Sequence, residues 1–191
     1  MIYSVGHSTR GFDELVELLK GFEVAMLADI RRFPGSRRFP HFNREHLAAA
    51  LPAQGIEYIW MEELGGRRAP GRKQDAAQSP NLALRNASFR AYADYMQTSE
   101  FAAAADRLLD LAQRGRVAIM CSEAVYWRCH RRLVSDYLLT RGVTVQHIMA
   151  PGQVRPHVLT EGGVLREHTV VYPSSGDDGE QAPLFTSPHA W

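Results

Sequence analysis

Two thiols, an imidazole and a carboxylate fall within ten residues, in the run Cys121-Ser122-Glu123-Ala124-Val125-Tyr126-Trp127-Arg128-Cys129-His130-Arg131-Arg132. Groups of these types at this spacing suit nucleophilic or redox chemistry: a thiolate attacks, a histidine or carboxylate moves the proton, and a second sulfur can resolve the first. The thiolate is the reactive form, and bases such as Arg128, Arg131 and His130 beside a helix N-terminus favour it. Cys121 is therefore expected to be the nucleophile, Cys129 a resolving thiol, Glu123 a general acid or base, and His130 the group that activates a thiol. Plainer readings stand beside these: a structural thiol ending a core strand, a carboxylate stabilised by the helix dipole or Arg128, and a helix-capping histidine. Cys121, Cys129 and His130, with His7 or Glu123 as a fourth, also have the ligand types of a zinc or iron site. Their Cys-x7-Cys-His spacing is not the short Cys-x2-4-Cys of structural zinc, and the leading reading calls for no cofactor.

Elements on either side must hold this run. Val117-Ala118-Ile119-Met120 reads as a buried strand, and Leu133, Val134, Tyr137 and Leu138 form the apolar stripe of a helix that ends near Arg141. The pattern repeats along the chain. A strand over 2–5 breaks at Gly6-His7-Ser8-Thr9 and is followed by a helix carrying Phe12, Leu15, Val16 and Leu19. A strand over 24–28 ends at Asp29, Arg31 and Arg32, and the loop 33–40, with two prolines and a glycine, excludes helix. Asn43 offers an N-cap to a short helix limited by Pro52, and a third strand over 56–61 ends at Glu62 and Glu63. An irregular stretch to Asn86 includes Arg67, Arg68, Arg72 and Lys73, four bases within seven residues. Helices over about 88–97 and 99–114 and a strand over 143–149 complete the alternation. Past Pro151 a β-hairpin is expected with Gly162-Gly163 as its turn, and the tail 173–191 is expected to be mobile.

Strands alternating with helices predict an α/β fold, a largely parallel sheet with helices on both faces in three layers, plus the C-terminal hairpin. Ligands bind such sheets at the carboxyl ends of the strands. His7 and Ser8, Asp29 and Arg31, Glu62 and Glu63, Cys121 and Glu123, and also His147 lie at those ends and should converge on one edge.

At 191 residues, 45% hydrophobic and 23% charged, the chain fits one domain, drawn at 1–172. There is neither a membrane-length apolar run nor a secretory leader, and the two cysteines lie eight apart. A cytoplasmic, reduced setting without membrane attachment is expected. A net charge of +1 excludes any argument from bulk charge, but 20 of the 22 basic residues are arginine, the better bidentate ligand for phosphate. A GC-rich genome is an equally good account. The arginine clusters alternate with Phe33, Phe39, Phe42, Tyr58 and Trp60, a combination that suits nucleotides or single-stranded nucleic acid as well as a plain solvated surface.

Gly6-His7-Ser8-Thr9, Asp29-Ile30-Arg31-Arg32-Phe33-Pro34-Gly35-Ser36-Arg37, Leu64-Gly65-Gly66-Arg67-Arg68, Cys121-Ser122-Glu123 and Cys129-His130-Arg131, in this order and spacing, resemble the DUF488 family of bacterial and archaeal proteins. The likeness covers about 1–150 and implies an α/β domain with two marked cysteines. Their convergence at the strand ends and in the arginine loops makes His7, Ser8, Asp29, Arg31, Ser36, Arg37, Arg67, Arg68, Arg128 and Arg131 candidates for substrate or anion binding. A looser similarity connects the chain to rhodaneses and cysteine phosphatases, in which a strand ends in Asp-x-Arg and a later one in a catalytic Cys. Here Arg128 lies seven residues past Cys121 where the phosphatase loop needs six, and no glycine intervenes.

The leading expectation is a cysteine-dependent enzyme, a hydrolase, transferase or redox enzyme, acting on a phosphate-bearing substrate such as a nucleotide or nucleic acid. The alternatives are a nucleotide or nucleic-acid binding module with structural cysteines, and a Cys/His metalloprotein.

Overall fold

The computed structural model describes residues 1–68 and 78–174. Arg72, Lys73 and nearly all of the tail 173–191 lie outside them.

Five parallel strands and one antiparallel edge strand form the main sheet. They are β1 (Ile2–Gly6), β2 (Met26–Asp29), β3 (Glu57–Trp60), β4 (Val117–Cys121), β5 (Val145–Ala150) and β6 (Gln153–Pro156), in the spatial order β3-β2-β4-β1-β5-β6. Helices α1 (Phe12–Gly21) and α2 (Arg44–Ala50) cover one face. Helices α3 (Ala87–Tyr95), α4 (Ser99–Arg114) and α5 (Arg131–Thr140) cover the other, together with a small hairpin of β7 (Val164–Arg166) and β8 (Thr169–Val171). The expected three-layer α/β architecture is present.

Strand periodicity explains the two cores. Side chains alternate across a strand, so Val117 and Ile119 pack with Phe101, Leu108, Leu133 and Tyr137 under α4 and α5. Ala118 and Met120 pack with Leu15, Leu19 and Leu47 under α1 and α2. The same alternation puts Cys121 on the α5 side. The helices are held by their stripes and their ends: Asn86 accepts from Ser88 and Phe89 N–H at the start of α3, and Thr98 caps α4 through Phe101 N–H.

The strand order creates the site. After β1 the chain turns toward β2 and the α1 face, whereas after β4 it turns toward β5 and the α5 face. Neighbouring strands whose connections leave in opposite directions open a crevice between their carboxyl ends. Here the pair is β1 and β4, in register Gly6 with Cys121. Beyond the strands the two loops stay paired, His7 N–H donating to Cys121 O at 3.0 Å and Ser8 N–H to Ser122 O at 2.9 Å.

Two expectations are corrected. The helix after β4 does not start in the Cys121 loop: a single 3-10 turn, Tyr126–Arg128, intervenes and α5 opens only at Arg131. Its free N–H groups consequently lie beside Cys129 rather than Cys121. The hairpin turn is Glu167-His168, between the paired Arg166 and Thr169, because Gly162 and Gly163 belong to an earlier turn closed by Gly163 N–H to Thr160 O. The segment over 153–156 instead extends the main sheet as β6.

Gly6 is required by the crevice. A Cβ there would stand 1.9 Å from the Glu123 carbonyl oxygen, so the loop after β4 can cross β1 only over a bare Cα. Gly6→Ala should lower stability by about 1–3 kcal/mol, the range for overpacking, seen as an earlier urea midpoint with an unchanged slope. A stability within about 0.5 kcal/mol of wild type, the ordinary tolerance of surface changes, would contradict the close approach.

Candidate functional site

The crevice widens into a cleft of about 740 Å³ lined, among others, by His7, Arg31, Arg67, Cys121, Arg128 and His130. That volume suits a small molecule.

At its floor the two cysteines and the histidine meet. Cys121 comes from the end of β4, Cys129 follows the 3-10 turn, and His130 is the residue before α5. His130 Nε2 lies 2.9 Å from the Ile30 carbonyl oxygen, which can only accept, so Nε2 carries a hydrogen. Nδ1 is then the nitrogen at which a proton can come and go. It faces both sulfurs, at 3.6 Å from Cys129 Sγ and 3.9 Å from Cys121 Sγ. Tyr92 packs edge-on against the imidazole at 5.2 Å. Gly66 packs close to it, since a Cβ there would fall 2.8 Å from Nδ1.

The neighbouring thiols are pushed apart. Burial alone would push Cys129 up, but the adjacent Cys121 thiol, the Arg131 charge and the Arg131 backbone N–H outweigh it and pull Cys129 down to about 6. The adjacent Cys129 sulfur and burial push Cys121 up to about 12. The expectation that Cys121 carries the lowered pKa is therefore corrected: the α5 N-terminus serves Cys129. Both sulfurs are nearly covered, Cys121 being 7% exposed and Cys129 2%, and Cys121 is the more accessible.

Asp29 and Arg31 form a closed pair. Arg31 donates through Nε at 2.8 Å and Nη2 at 2.5 Å to the two carboxylate oxygens, and Asp29 is wholly buried. Tyr58 Oη donates to Asp29 at 2.6 Å, and burial with this carboxylate pushes the phenol well up. Arg31 also donates to the Phe42 carbonyl, leaving Nη1 3.3 Å from His7 Nε2. Burial and the Arg31 charge lower His7 to about 4, and its Nδ1 donates to Ser8 O, so His7 is a neutral ring fixed in the wall.

Other candidates separate by position. Ser8, Ser36, Arg67, Arg128 and Glu123 line the cleft. Ser36 also holds its own loop, its Oγ accepting from Phe39 N–H. Arg37 is exposed outside the lining, and Arg68 stacks on Tyr95 at 3.6 Å while donating to the Glu63 and Gly65 carbonyls. Arg131 is buried behind the loop, donating to Ser4 Oγ and to the Glu123 and Ala124 carbonyls; it shapes the site without facing it. His147 is not in the cleft. It belongs to a buried chain in which Asp136 pairs with His157 at 2.8 Å, His157 meets His147 at 3.0 Å, and Tyr172 Oη donates to Asp136.

Sequence reading did not find Tyr92, the Ile30 carbonyl or the role of Gly66. Only the Gly65-Gly66 doublet left a trace. A Cβ on Gly65 would meet Arg32 Cα at 2.7 Å, so both glycines let the β3 loop lie against the site.

A family model, that of the domain of unknown function DUF488, matches residues 11–138. The chain belongs to the DUF488 family. The match includes Asp29, Gly66, both cysteines and His130, begins after His7 and Ser8, and ends inside α5. No curated protein and no solved structure matches the chain.

The ligand atoms of Cys121, Cys129 and His130 lie within 4.8 Å of one another. A tetrahedral zinc with bonds of about 2.3 Å to sulfur and about 2.0 Å to nitrogen has sulfur-to-nitrogen edges near 3.5 Å, so this set could hold such an ion. The Ile30 carbonyl would orient the imidazole as an outer partner.

In protein treated with a chelator, one thiolate should form with a midpoint near pH 6 and the second only toward pH 12, as read by thiolate absorbance. Cys121→Ala should raise the remaining inflection, because Cys129 loses the adjacent thiol. Two thiols titrating together near ~8.5 would contradict this separation.

Proposed function

We propose that this DUF488 domain is a thiol-dependent enzyme, a hydrolase or transferase, acting on a small phosphate-bearing substrate in the cleft. One observation carries the reading: an imidazole with its tautomer fixed by a backbone carbonyl turns its remaining nitrogen to two thiols at the floor of a cleft. Nucleophile, proton-transfer group and orienting group are thus in sequence, as covalent catalysis requires.

In the resting state Cys129 is the thiolate and Cys121 the thiol, and His130 Nδ1 is the atom through which a proton reaches the leaving group. Cys121 attacks an electrophilic carbon or phosphorus of the substrate and passes its proton to Cys129. As the new bond to sulfur forms, the bond to the leaving group breaks, and that group takes the proton of His130. Water, or another acceptor, then gives a proton to His130 and displaces the substrate from Cys121, and the proton on Cys129 returns to Cys121. Arg67 and Arg128, exposed on the cleft and without a carboxylate partner among the described residues, would hold the phosphate. The closed Asp29 and Arg31 pair would act by fixing His7 and the wall.

Alkylation by iodoacetamide tests the reading. Inorganic phosphate should slow modification of Cys121, and Arg128→Ala should weaken that protection on the order of tenfold, as loss of a charge-assisted contact does. His130→Ala should shift the pH dependence of alkylation upward. Alkylation that follows an ordinary thiol and ignores phosphate would overturn it.

A second reading is favoured by the two sulfur-to-nitrogen distances: Cys121, Cys129 and His130 as the protein ligands of a zinc ion whose fourth position faces the cleft. Element analysis of protein purified without chelator decides between them, one equivalent of metal lost in Cys129→Ala supporting the second.

A further inference from the structure

Beside the cleft is a second cavity of about 450 Å³, between the start of α3, the 3-10 turn and the loop after β6. Asn86 and Phe89 line both, so they form a shared wall. The chemistry of this annex is distinct from that of the cleft. Phe89, Tyr126 and Trp127 supply aromatic surface, and Trp127 is 42% exposed. Arg85 and Arg132 supply two guanidiniums that have no carboxylate partner among the described residues, Arg132 lying over the Phe89 ring at 5.1 Å.

Rings for stacking beside guanidiniums for acceptor atoms make up a nucleobase site rather than a lipid or simple-anion site.

We propose that the annex binds the base of a nucleoside phosphate, the base lying against Trp127 while the phosphate reaches across the Asn86 and Phe89 wall to the arginines of the cleft. This rests on the reading of the cleft as a phosphate site and narrows its substrate class to nucleotides. Glu161, the one acidic residue of the lining, is available to accept from an exocyclic amine or a ribose hydroxyl.

Calorimetric titration of the whole chain with AMP, GMP, CMP, UMP and ribose 5-phosphate tests it. At least one nucleotide should bind about tenfold or more tightly than ribose 5-phosphate, the scale of stacking one base. Trp127→Ala should remove that advantage and leave ribose 5-phosphate unchanged, whereas Arg128→Ala should weaken both. Equal binding of nucleotides and ribose 5-phosphate, no binding of any nucleotide, or an advantage that survives Trp127→Ala overturns the proposal. The two readings fail separately: a base preference dependent on Trp127 persists even if the thiols prove ordinary, and phosphate-protected thiols with no base preference remove the annex alone.

Discussion

The guanidinium of Arg131 is the tie on which the site depends. It belongs to the first turn of α5, is 1% exposed, and reaches Ser4 on β1 and the carbonyls of Glu123 and Ala124 in the loop after β4. One side chain therefore joins helix, neighbouring strand and reactive loop. Nη1 and Nη2 donate to these three oxygens while Nε has no partner, and removing the side chain would cost the loop those hydrogen bonds, at about 1–3 kcal/mol each. The same residue lends Cys129 its positive charge and its backbone N–H. Loop shape and thiolate stability thus have a common origin, and neither can change without the other.

The second constraint is the fixed imidazole. Ile30 follows the last residue of β2, and its N–H still donates to Met120 O of β4. Bonding His130 Nε2 to the Ile30 carbonyl therefore ties the ring to a residue anchored on the sheet. Tyr92 is fixed in turn by donating to Leu64 O at 2.6 Å, and the Gly65-Gly66 pair admits the β3 loop against the ring. Three segments far apart in sequence hold one histidine, which fixes the position of Nδ1 relative to both sulfurs.

Much of this was legible in the chain. Apolar runs gave the strands, stripes gave the helices, and their alternation placed Cys121, His7 and Arg31 on a common rim, because a parallel sheet leaves its strand ends on one side. The harder parts depended on contacts that spacing does not encode. Which cysteine lies at the helix N-terminus turned on one 3-10 turn, a matter of three residues. The Asp136, His157 and His147 chain joins α5, the loop after β6 and β5, and only the packed fold brings these together. Gly162-Gly163 had the composition of a hairpin turn, yet pairing of Val164–Arg166 with Thr169–Val171 placed the reversal at Glu167-His168. The doublet that mattered was Gly65-Gly66, where the constraint is the nearness of other chains of atoms rather than a positive φ.

The electrostatics of the rim follow from which arginines are already neutralised. Arg31 is spent on Asp29 and the Phe42 carbonyl, and Arg68 on two carbonyls and the Tyr95 ring. Both build the wall and add little attraction for a ligand. Arg67 and Arg128 on the cleft, and Arg132 in the annex, have no carboxylate partner among the described residues. A chain with a net charge of only +1 thereby concentrates unspent positive charge around a recess with low-dielectric walls, where it acts more strongly than on an open surface.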